Sequence, residues 1–299
     1  MIELLKKCNL CPRTCGVNRL EGRRGFCGAE DMVKVARAAL HHWEEPCVSG
    51  EIGSGTVFFS YCTLKCVFCQ NFDISQCKAG KEISIERLGE IFLELQEKGA
   101  LNINLVTPTH FVPQIIEGLK IAKANGLQIP VVYNSSGYET VETIKLLNGY
   151  VDVYLPDMKY FNTKYSTKYS KAPEYFDYAK KAVDEMVSQV GEPVFNKDGI
   201  IQKGVIIRHL MLPGLLFDSK KVIDYIHKTY GKKVFISLMN QYTPLEHVKD
   251  YPEIDKILNP KHYESLINYA LDIGITNGFI QEEGTAKESF IPPFDYEGV

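Results

Sequence analysis

Three closely spaced cysteines are the residues of this sequence best placed to do chemistry. Cys62, Cys66 and Cys69 lie in one short segment, directly after the largely apolar run Thr56–Ser60. Three thiolates in one loop can bind three irons of a cubane iron–sulfur cluster and leave its fourth iron open. Because structural zinc sites normally have four protein ligands, a set of three favours the cluster. The alternatives are a zinc loop completed by a ligand elsewhere and a group of buried cysteines.

A second group of four cysteines lies nearer the N-terminus. Four thiolates at their spacings can close a tetrahedral metal site, for which zinc is the first choice. A second iron–sulfur cluster and free structural thiols are the alternatives. The four residues are Cys8, Cys11, Cys15 and Cys27.

The cysteines are distributed very unevenly along the chain. All nine lie between Cys8 and Cys77, and the 222 residues after Cys77 (299 − 77) contain none. The count is odd, and the first eight residues lack the apolar core of a secretory signal. We therefore expect metal ligation in a reducing compartment, the cytoplasm, rather than a disulfide framework. Cys47 and Cys77 belong to neither group and are expected to be small buried hydrophobic residues.

Composition and charge exclude several classes of protein. The chain is 45% hydrophobic, 24% charged and 11% aromatic, which is ordinary for a globular protein and excludes disordered, collagen-like and coiled-coil chains. No stretch reaches the roughly 18 consecutive apolar residues of a membrane helix. A formal charge of −3 and a pI near 6.2 argue against a general nucleic-acid-binding protein.

The elements that must position these cysteines divide the chain in two. Residues 1–55 form a glycine-rich head with little helical periodicity, apart from the apolar stretch Met32–Leu40, and a segment this small favours stabilisation by a metal. Residues 56–299 form the body, in which short apolar runs alternate with amphipathic helices. The predicted strands are Thr56–Ser60, Asn102–Val106, Ile129–Tyr133, Val151–Leu155, Gly204–Leu210, Val234–Leu238 and Phe279–Gln281. The predicted helices are Ser84–Lys98, Pro113–Asn125, Glu139–Leu147, Tyr175–Val190, Ser219–Thr229 and Lys261–Ile273.

This alternation produces six βα units. Strands separated by helices form a parallel sheet with right-handed crossovers, and short apolar strands are typical of a sheet buried on both faces. Six units are too few for a closed eight-stranded barrel. We therefore predict an α/β fold in which a partial (β/α)6 barrel, similar to a TIM barrel, follows the cysteine-rich head. In such folds the chemistry lies at the carboxyl ends of the strands.

The three-cysteine loop resembles the signature of the radical S-adenosylmethionine (SAM) superfamily. That signature is a Cys-x3-Cys-x-aromatic-Cys loop after the first strand of a partial (β/α)6 barrel, and Phe68 occupies the aromatic position here. The resemblance is strongest to proteins related to pyruvate formate-lyase activating enzyme. It implies that Cys62, Cys66 and Cys69 ligate a [4Fe–4S] cluster whose open iron binds SAM. It also implies a one-electron donor, cleavage of SAM to methionine and a 5′-deoxyadenosyl radical, and hydrogen abstraction from a substrate.

The same resemblance directs attention to polar residues after the later strands. Family members usually carry a Gly-Gly-Glu-type segment after the second strand, where it meets the SAM amine, but this chain has Thr-Pro-Thr-His there. After the fourth strand it carries the family's Asp-x-Lys segment, whose charged residues point the same way and can pair. Asn240 is a further candidate for contact with the adenine or the substrate. The expected SAM-contacting residues are Phe68, Thr107, Thr109, His110, Asn134, Ser136, Asp157, Lys159, Arg208 and Gln241.

Each of these positions also has a purely structural interpretation. The Thr-Pro-Thr-His segment suits a polar turn that caps a helix, and the Asp-x-Lys segment suits a surface ion pair. Arg208 suits a structural pair with a nearby acid. Asn134 and Ser136 are ordinary turn formers, and the segment that contains Gln241 also suits a capped loop.

Two further segments of the head have open interpretations. The segment His41–Glu45 either lines a substrate opening or packs the sole tryptophan, Trp43, between head and body. A group of arginines forms either a solvated basic face or a surface that attracts an acidic electron donor such as flavodoxin or ferredoxin. These arginines are Arg13, Arg19, Arg23 and Arg24.

Three functions are compatible with these residues. The first, which we favour, is activation of a partner protein, a glycyl radical enzyme. The second is radical SAM chemistry on a small molecule, a peptide or a nucleic acid, of which a nucleic acid is the least expected. The third is a non-catalytic iron–sulfur electron-transfer protein, but holding one cluster does not require six βα units. No membrane partner is expected.

Overall fold

Ten strands form one sheet in the computed structural model, which describes residues 1–76, 79–281 and 292–299. The expectation for Cys77 lies outside the described residues. The strands are β1 (Val33–His41), β2 (Ser54–Phe59), β3 (Lys81–Ile83), β4 (Ile103–Val106), β5 (Val131–Ser135), β6 (Val153–Pro156), β7 (Val194–Phe195), β8 (Ile201–Leu210), β9 (Phe235–Met239) and β10 (Gly278–Ile280).

Helices of very different lengths accompany the sheet. None of those in the described ranges has the length and apolar character needed to span a membrane. Short 3-10 turns cover Ile2–Lys7, Arg19–Glu21, Thr109–Phe111, Gly231–Lys233 and Glu246–Val248. The α-helices are α1 (Pro46–Ser49), α2 (Phe72–Ser75), α3 (Ile85–Glu97), α4 (Val112–Ala124), α5 (Val141–Leu146), α6 (Thr163–Ser170), α7 (Tyr175–Val190), α8 (Leu216–Tyr230) and α9 (Pro260–Asp272).

The sheet is mostly parallel and follows the order β10-β9-β8-β6-β5-β4-β2-β1-β3. Every neighbouring pair from β2 to β10 is parallel, whereas β1 is antiparallel to both β2 and β3. The short β7 is antiparallel to β8. Strands β2, β4, β5, β6, β8, β9 and β10 therefore run in one direction, so their carboxyl ends lie along one rim of the sheet.

Six parallel strands are each followed by a helix, as the alternation of patterns predicts. The units are β2–α3, β4–α4, β5–α5, β6–α7, β8–α8 and β9–α9. Every residue of β2, β4, β5 and β6 is buried, which explains why these strands read as largely apolar runs. The α/β fold with a partial barrel is therefore confirmed, and the short last strand predicted at Phe279–Gln281 is present as β10.

Helix α3 illustrates why the sequence forms these elements. Its predicted cap is present, because the Ser84 hydroxyl accepts a hydrogen bond from the Arg87 N–H at 3.1 Å. Burial of each large apolar side chain on its inner face contributes roughly 1.5–3 kcal/mol. Those side chains are Leu88, Ile91, Phe92 and Leu95.

The stretch Met32–Leu40 is a strand, and its helical periodicity is misleading. It forms β1, which pairs with β2 along nearly its whole length. The physical reason is that the free edge of β2 presents N–H and C=O groups that need partners, and β1 supplies them. The head thus contributes a strand to the sheet of the body, while the division of the chain at residue 55 remains a prediction.

Helix α6 lies in a stretch that the apolar pattern does not mark as helical. In its sequence, Thr-Lys-Tyr-Ser-Thr-Lys-Tyr-Ser, only Tyr165 and Tyr169 are large hydrophobic residues at helical spacing. Asn162 caps the helix by accepting a hydrogen bond from the Lys164 N–H at 2.9 Å. Tyr169 and Ser170 at its end are almost fully buried. Tertiary packing therefore forms this helix, and its last residue lies beside the three-cysteine loop.

Candidate active site

The three-cysteine loop begins where β2 ends. Tyr61 and Lys65 have left-handed backbone conformations, with φ of 73° and 57°, which cost non-glycine residues of order 1–3 kcal/mol each. The loop is anchored at two points, because the N–H groups of Tyr61 and Val67 donate to the carbonyls of Ile74 and Tyr169 at 2.8 and 2.9 Å. These bonds hold the sharp turns that bring the cysteines together.

Each of the three sulfurs accepts a hydrogen bond from the protein. Such donors stabilise negative charge on thiolate ligands and raise the reduction potential of a bound cluster. Two of the donors are hydroxyls from outside the cysteine segment. The pairs are Leu64 N with Cys62 Sγ at 3.4 Å, Ser170 Oγ with Cys66 Sγ at 2.9 Å, and Ser75 Oγ with Cys69 Sγ at 3.4 Å.

Burial keeps two of the metal-free loop thiols protonated. It raises the pKa of Cys66 to about 12 and that of Cys69 to about 11, because a thiolate loses solvation in the interior. The ammonium of Lys159 acts in the opposite direction on both groups but does not overcome burial. Iron would replace these protons, since metal-bound thiols are deprotonated.

The loop fits an iron–sulfur cluster with three protein ligands. Each cysteine of a cubane cluster binds a different iron, so the sulfurs need not converge on a single point. In the described ranges, no group of three or more His, Cys, Asp or Glu side chains surrounds one metal-ion position. The loop sulfurs instead line the wall of one cavity, each with a hydrogen-bond donor beside it.

That cavity, of about 170 Å³, gathers most of the predicted SAM-contacting residues. They come from the ends of successive parallel strands and face the three-cysteine loop. Asn240 is not part of the cavity lining. The predicted residues that line it are Cys62, Cys66, Phe68, Cys69, Thr107, Asn134, Ser136, Asp157, Lys159, Arg208 and Gln241.

A buried ionic network crosses the floor of this cavity. Asp157 accepts from Lys159 Nζ and, at 3.1 Å, from Arg208 Nε. The three side chains are only 12–15% exposed, so the alternative of a surface ion pair is wrong. Burial raises the pKa of Asp157, but the charges of Lys159 and Arg208 outweigh it and hold this pKa below its usual value. The network presents both signs of charge to a ligand.

Glu44 is a member of this network that sequence reasoning did not assign to the site. Its Oε2 accepts from Arg208 at 3.1 Å, and its Oε1 accepts from the amides of Asn104 and Asn134 at 3.0 and 3.2 Å. The sequence carried one signal, since Glu44 belongs to the segment His41–Glu45 that we considered for a substrate opening.

Neighbouring groups orient three more of the predicted contacts. Thr107 has a left-handed φ of 59°, and its N–H donates to the Asn134 carbonyl at 2.9 Å. The Ser136 carbonyl accepts from a tyrosine hydroxyl at 2.8 Å. The Gln281 side-chain amide donates to Gln241 Oε1 at 2.9 Å, and Gln281 Oε1 accepts from the Gln241 N–H at 3.1 Å. These positions are therefore held rather than free to swing.

Thr109 and His110 are buried but are not part of the cavity lining. Both are 2% exposed. The Thr109 hydroxyl donates to Glu139 Oε1 at 2.9 Å, and His110 Nε2 lies 2.7 Å from the Ser60 carbonyl. Burial lowers the pKa of His110 to about 3 and raises that of Glu139 to about 7. Their contacts are those of buried structural residues.

The structure corrects two expectations for the head. Arg19 is fully buried and Arg13 is partly buried, so these two arginines do not belong to a solvated basic face. The tryptophan is not packed between head and body either, because Trp43 is 60% exposed. It lies at the rim of two smaller cavities beside the main one. Cys47 is buried.

Sequence comparison identifies the class of protein that this fold and loop define. Residues 56–226, more than half of the chain, match the family model of the Radical SAM superfamily. The chain belongs to this superfamily. It is 35% identical over 278 residues to the uncharacterized protein MJ0674 of Methanocaldococcus jannaschii, a match that covers 90% of this chain and 75% of that protein. MJ0808 of the same organism is 26% identical over 158 residues, which are 47% of this chain and 46% of MJ0808.

Solved structures share the fold. SuiB of Streptococcus suis, in a complex with the precursor peptide SuiA, has a TM-score of 0.51 at 14% identity, over 75% of this chain and 47% of SuiB. HydG, a maturase of the [FeFe]-hydrogenase, has a TM-score of 0.51 at 16% identity, over 77% of this chain and 52% of HydG. The chain thus spans about half the length of these structures, and at such identities the likeness shows the fold alone.

Proposed function

We propose that this protein cleaves SAM reductively and uses the radical fragment to abstract a hydrogen atom from a substrate. The observation that carries the proposal is a single cavity in which three loop thiols face the buried charges of Asp157, Lys159 and Arg208. Cys62, Cys66 and Cys69 would hold the [4Fe–4S] cluster that membership of the superfamily implies. When bound, that cluster would supply the single electron needed to cleave SAM to methionine and a 5′-deoxyadenosyl radical.

The residues around the cavity have complementary roles in this proposal. Cys62, Cys66 and Cys69 hold the cluster. Lys159 and Arg208 offer positive charge to the carboxylate of SAM, and Asp157 offers negative charge to its amine. Because these groups are buried, their interactions with a charged ligand are stronger than they would be in water.

The nucleoside end of SAM meets the uncharged part of the lining. Asn134 and Ser136 are placed for the ribose hydroxyls, and Gln241 for the adenine. Phe68 is buried and packs against the rings of Tyr160 and Tyr242, with centroids 6.4 and 6.3 Å away. It closes the cavity on the loop side and helps to exclude water from the reacting atoms.

We further propose that the substrate is a glycine residue of a partner protein, as in activating enzymes. Three adjoining cavities share Arg208 and Gln241, so the space beside the proposed cofactor is continuous with the rim. Trp43 stands at that rim with 60% of its surface exposed, and large exposed aromatic residues are typical of protein–protein contacts. These features support a macromolecular substrate over a small one.

Modification of a peptide is the second candidate. SuiB shares the fold and was solved with a precursor peptide, and the same open rim would admit an extended chain. A small molecule or a nucleic acid has less support, and the charge of −3 does not favour the latter.

The proposal also includes a reductant and a compartment. A flavodoxin or a ferredoxin suits the need for single electrons. The eight described cysteines are free, as the cytoplasm requires of metal-ligating thiols. We therefore propose a cytoplasmic oxidoreductase.

Cluster-dependent SAM cleavage is tested with Cys62→Ala. The reconstituted, reduced wild-type protein should release 5′-deoxyadenosine from SAM, and the variant should release none above background. Cys47→Ala is the matched control, because this buried cysteine lies outside the loop and its loss should leave the product yield unchanged. A wild-type protein that carries its cluster and yields no 5′-deoxyadenosine under strong reduction refutes the proposal.

The substrate class is tested by isotope transfer. A candidate glycyl radical protein labelled with deuterated glycine should transfer deuterium into 5′-deoxyadenosine and acquire a glycyl radical signal. Transfer from a deuterated peptide, without transfer from the glycyl protein, would favour the second candidate instead.

A further inference from the structure

The four head cysteines lie in a segment of twenty residues that folds back on itself. The Cys8 N–H donates to the Val17 carbonyl at 3.0 Å, and the Cys8 carbonyl accepts from Gly16 at 2.9 Å, so this segment folds back past Cys15. The Phe26 N–H donates to Cys15 Sγ at 3.3 Å, which brings the residue before Cys27 against that sulfur.

Close packing at Gly25 fixes the position of Cys15 in the head. A Cβ added at Gly25 would meet Cys15 Sγ at 2.8 Å, so only glycine allows this approach. A metal ion bound at this place would hold the head cysteines as thiolates, since metal-ligating cysteines are deprotonated.

A buried arginine provides an independent indication of negative charge at this place. Arg19 is 0% exposed, and every acceptor that its guanidinium reaches in the described ranges is uncharged or a thiol. Glu30 and His110 contribute backbone carbonyls, the latter at 2.6 Å, and Cys8 contributes its sulfur at 3.9 Å. A buried cation without a counter-ion costs several kcal/mol. Thiolates around a divalent ion or a cluster keep a net negative charge that would offset this cost.

A second arginine ties the head to the three-cysteine loop. Arg13 lies between two of the head cysteines in sequence. Its Nε donates to the Thr63 carbonyl inside the loop at 3.0 Å, and its NH2 donates to the Ser170 carbonyl at 3.1 Å. Ser170 in turn donates its hydroxyl to Cys66 Sγ. The guanidinium also stacks over Phe26, 3.9 Å from the ring centre.

We propose that Cys8, Cys11, Cys15 and Cys27 form a tetrathiolate metal centre, and that this centre fixes Arg13 as a positioning residue for the three-cysteine loop. Zinc and an iron–sulfur cluster share this ligand chemistry, and the experiment distinguishes them. The four side chains do not yet surround a single ion position in the described ranges, so binding would draw them together. This inference rests on the proposed function only in assuming that the three-cysteine loop binds a cluster.

Metal content of the full chain tests the centre. In a Cys62→Ala, Cys66→Ala and Cys69→Ala background the loop site is gone, so metal retained by the purified protein reports the head. We expect one zinc per chain, or about four irons with sulfide. Further change of Cys11→Ser should remove that metal, and Cys47→Ser should not. A background variant that holds neither metal overturns the proposal.

Alkylation of Cys15 gives a test that does not depend on a variant folding. Cys15 is exposed, so a free thiol at this position would react at the rate of an unhindered cysteine. In the metal-loaded wild-type protein we expect it to be protected, and a chelator should abolish the protection. Rapid alkylation before chelation overturns the proposal.

The positioning role is tested with Arg13→Gln against Arg23→Gln, which changes an exposed arginine of the same segment. Arg13→Gln should keep the head metal, alter the electron paramagnetic resonance spectrum of the reduced loop cluster, and speed iron release to a chelator about tenfold. Arg23→Gln should match the wild type. Identical spectra and release rates for both variants overturn the role of Arg13. Head metal without SAM cleavage would refute the proposed function but not the metal centre. SAM cleavage without head metal would refute the metal centre but not the proposed function.

Discussion

Replacing Arg208 by methionine removes the charge that joins two buried carboxylates in the active-site cavity. The guanidinium donates to Asp157 at 3.1 Å, to Glu44 at 3.1 Å and to the side chain of Asn134. The two carboxylate side chains are only 12% and 10% exposed, so loss of these donors leaves their charges poorly solvated. Methionine conserves much of the apolar volume, which confines the change to charge and hydrogen bonds.

The magnitude follows from the partners that remain. Removal of one member of a buried ion pair costs about 3–5 kcal/mol. Asp157 keeps Lys159, and Glu44 keeps two amide donors, so we expect the lower end of that range. A loss of about 3 kcal/mol reduces the ratio of folded to unfolded protein by about a hundredfold.

The loss should depend on pH in a definite direction. In the wild-type protein the pKa of Asp157 lies below its usual value, despite burial, because of Lys159 and Arg208. The stability from this group is therefore present above the unfolded-state pKa and disappears as pH falls through the folded-state pKa. Without Arg208 that pKa rises. The difference in unfolding free energy between wild type and variant should be largest near neutral pH and should shrink toward pH 4.

Anaerobic guanidinium chloride unfolding measures these quantities. A double-mutant cycle with Arg208→Met and Asp157→Asn should yield a coupling free energy of about 2 kcal/mol. Arg23→Met, at an exposed position, is the control and should stay within about 0.5 kcal/mol of the wild type. Additive effects of the two changes, or a loss that is the same at pH 4.5 and pH 7.5, would refute the reasoning.

Three further changes probe the surroundings of the site. Ser170→Ala removes the hydroxyl that donates to Cys66 Sγ. Loss of this hydrogen bond, worth about 1 kcal/mol, should lower the reduction potential of the loop cluster by about 40 mV in a spectroelectrochemical titration. An unchanged potential would contradict this expectation. Gly137→Ala should destabilise the protein by about 2 kcal/mol or more in thermal unfolding, because its φ is +75° and a Cβ would lie 2.1 Å from the Asp157 carbonyl; a wild-type melting temperature would show that the turn tolerates a side chain. Burial raises the pKa of Glu139 from 4.5 to about 7, so the wild type should lose stability as pH rises through this interval. Glu139→Gln should not respond to pH in this interval and should be more stable than the wild type at pH 8 by at most about 3 kcal/mol. Unfolding curves of both proteins at pH 5 and pH 8 test this expectation.

The order of elements in the body could be read from local patterns. Apolar runs of four to six residues and amphipathic stretches such as Ser84–Lys98 carry their own signal, because burial on both faces or on one face dictates the pattern. The cysteine spacing indicated cluster ligation for a similar reason, since ligands close in sequence can meet in one loop. The stretch Met32–Leu40 misled because it is short and its partner strand is not visible in its own residues.

Most partners of the site residues could not be read in this way. Glu44 and Arg208 are 164 residues apart, and Ser170 and Cys66 are 104 residues apart. A polar residue acquires such a partner only when the fold removes both from water, so nothing in its neighbouring sequence announces the contact. Thr109 and His110 show the reverse case, because packing buries them outside the cavity lining although they follow the same strand as Thr107.

The sequence by itself therefore determined the class of fold, the loop cysteines and the rim on which the chemistry is proposed, because these depend on local spacing and on the burial pattern of single elements. Only the tertiary structure decided that Glu44 completes the ionic network, that Arg19 is buried beside the head cysteines, and that Arg13 reaches the three-cysteine loop. The physical reason is that desolvation and long-range hydrogen bonds assign these roles, and both exist only after the elements have packed.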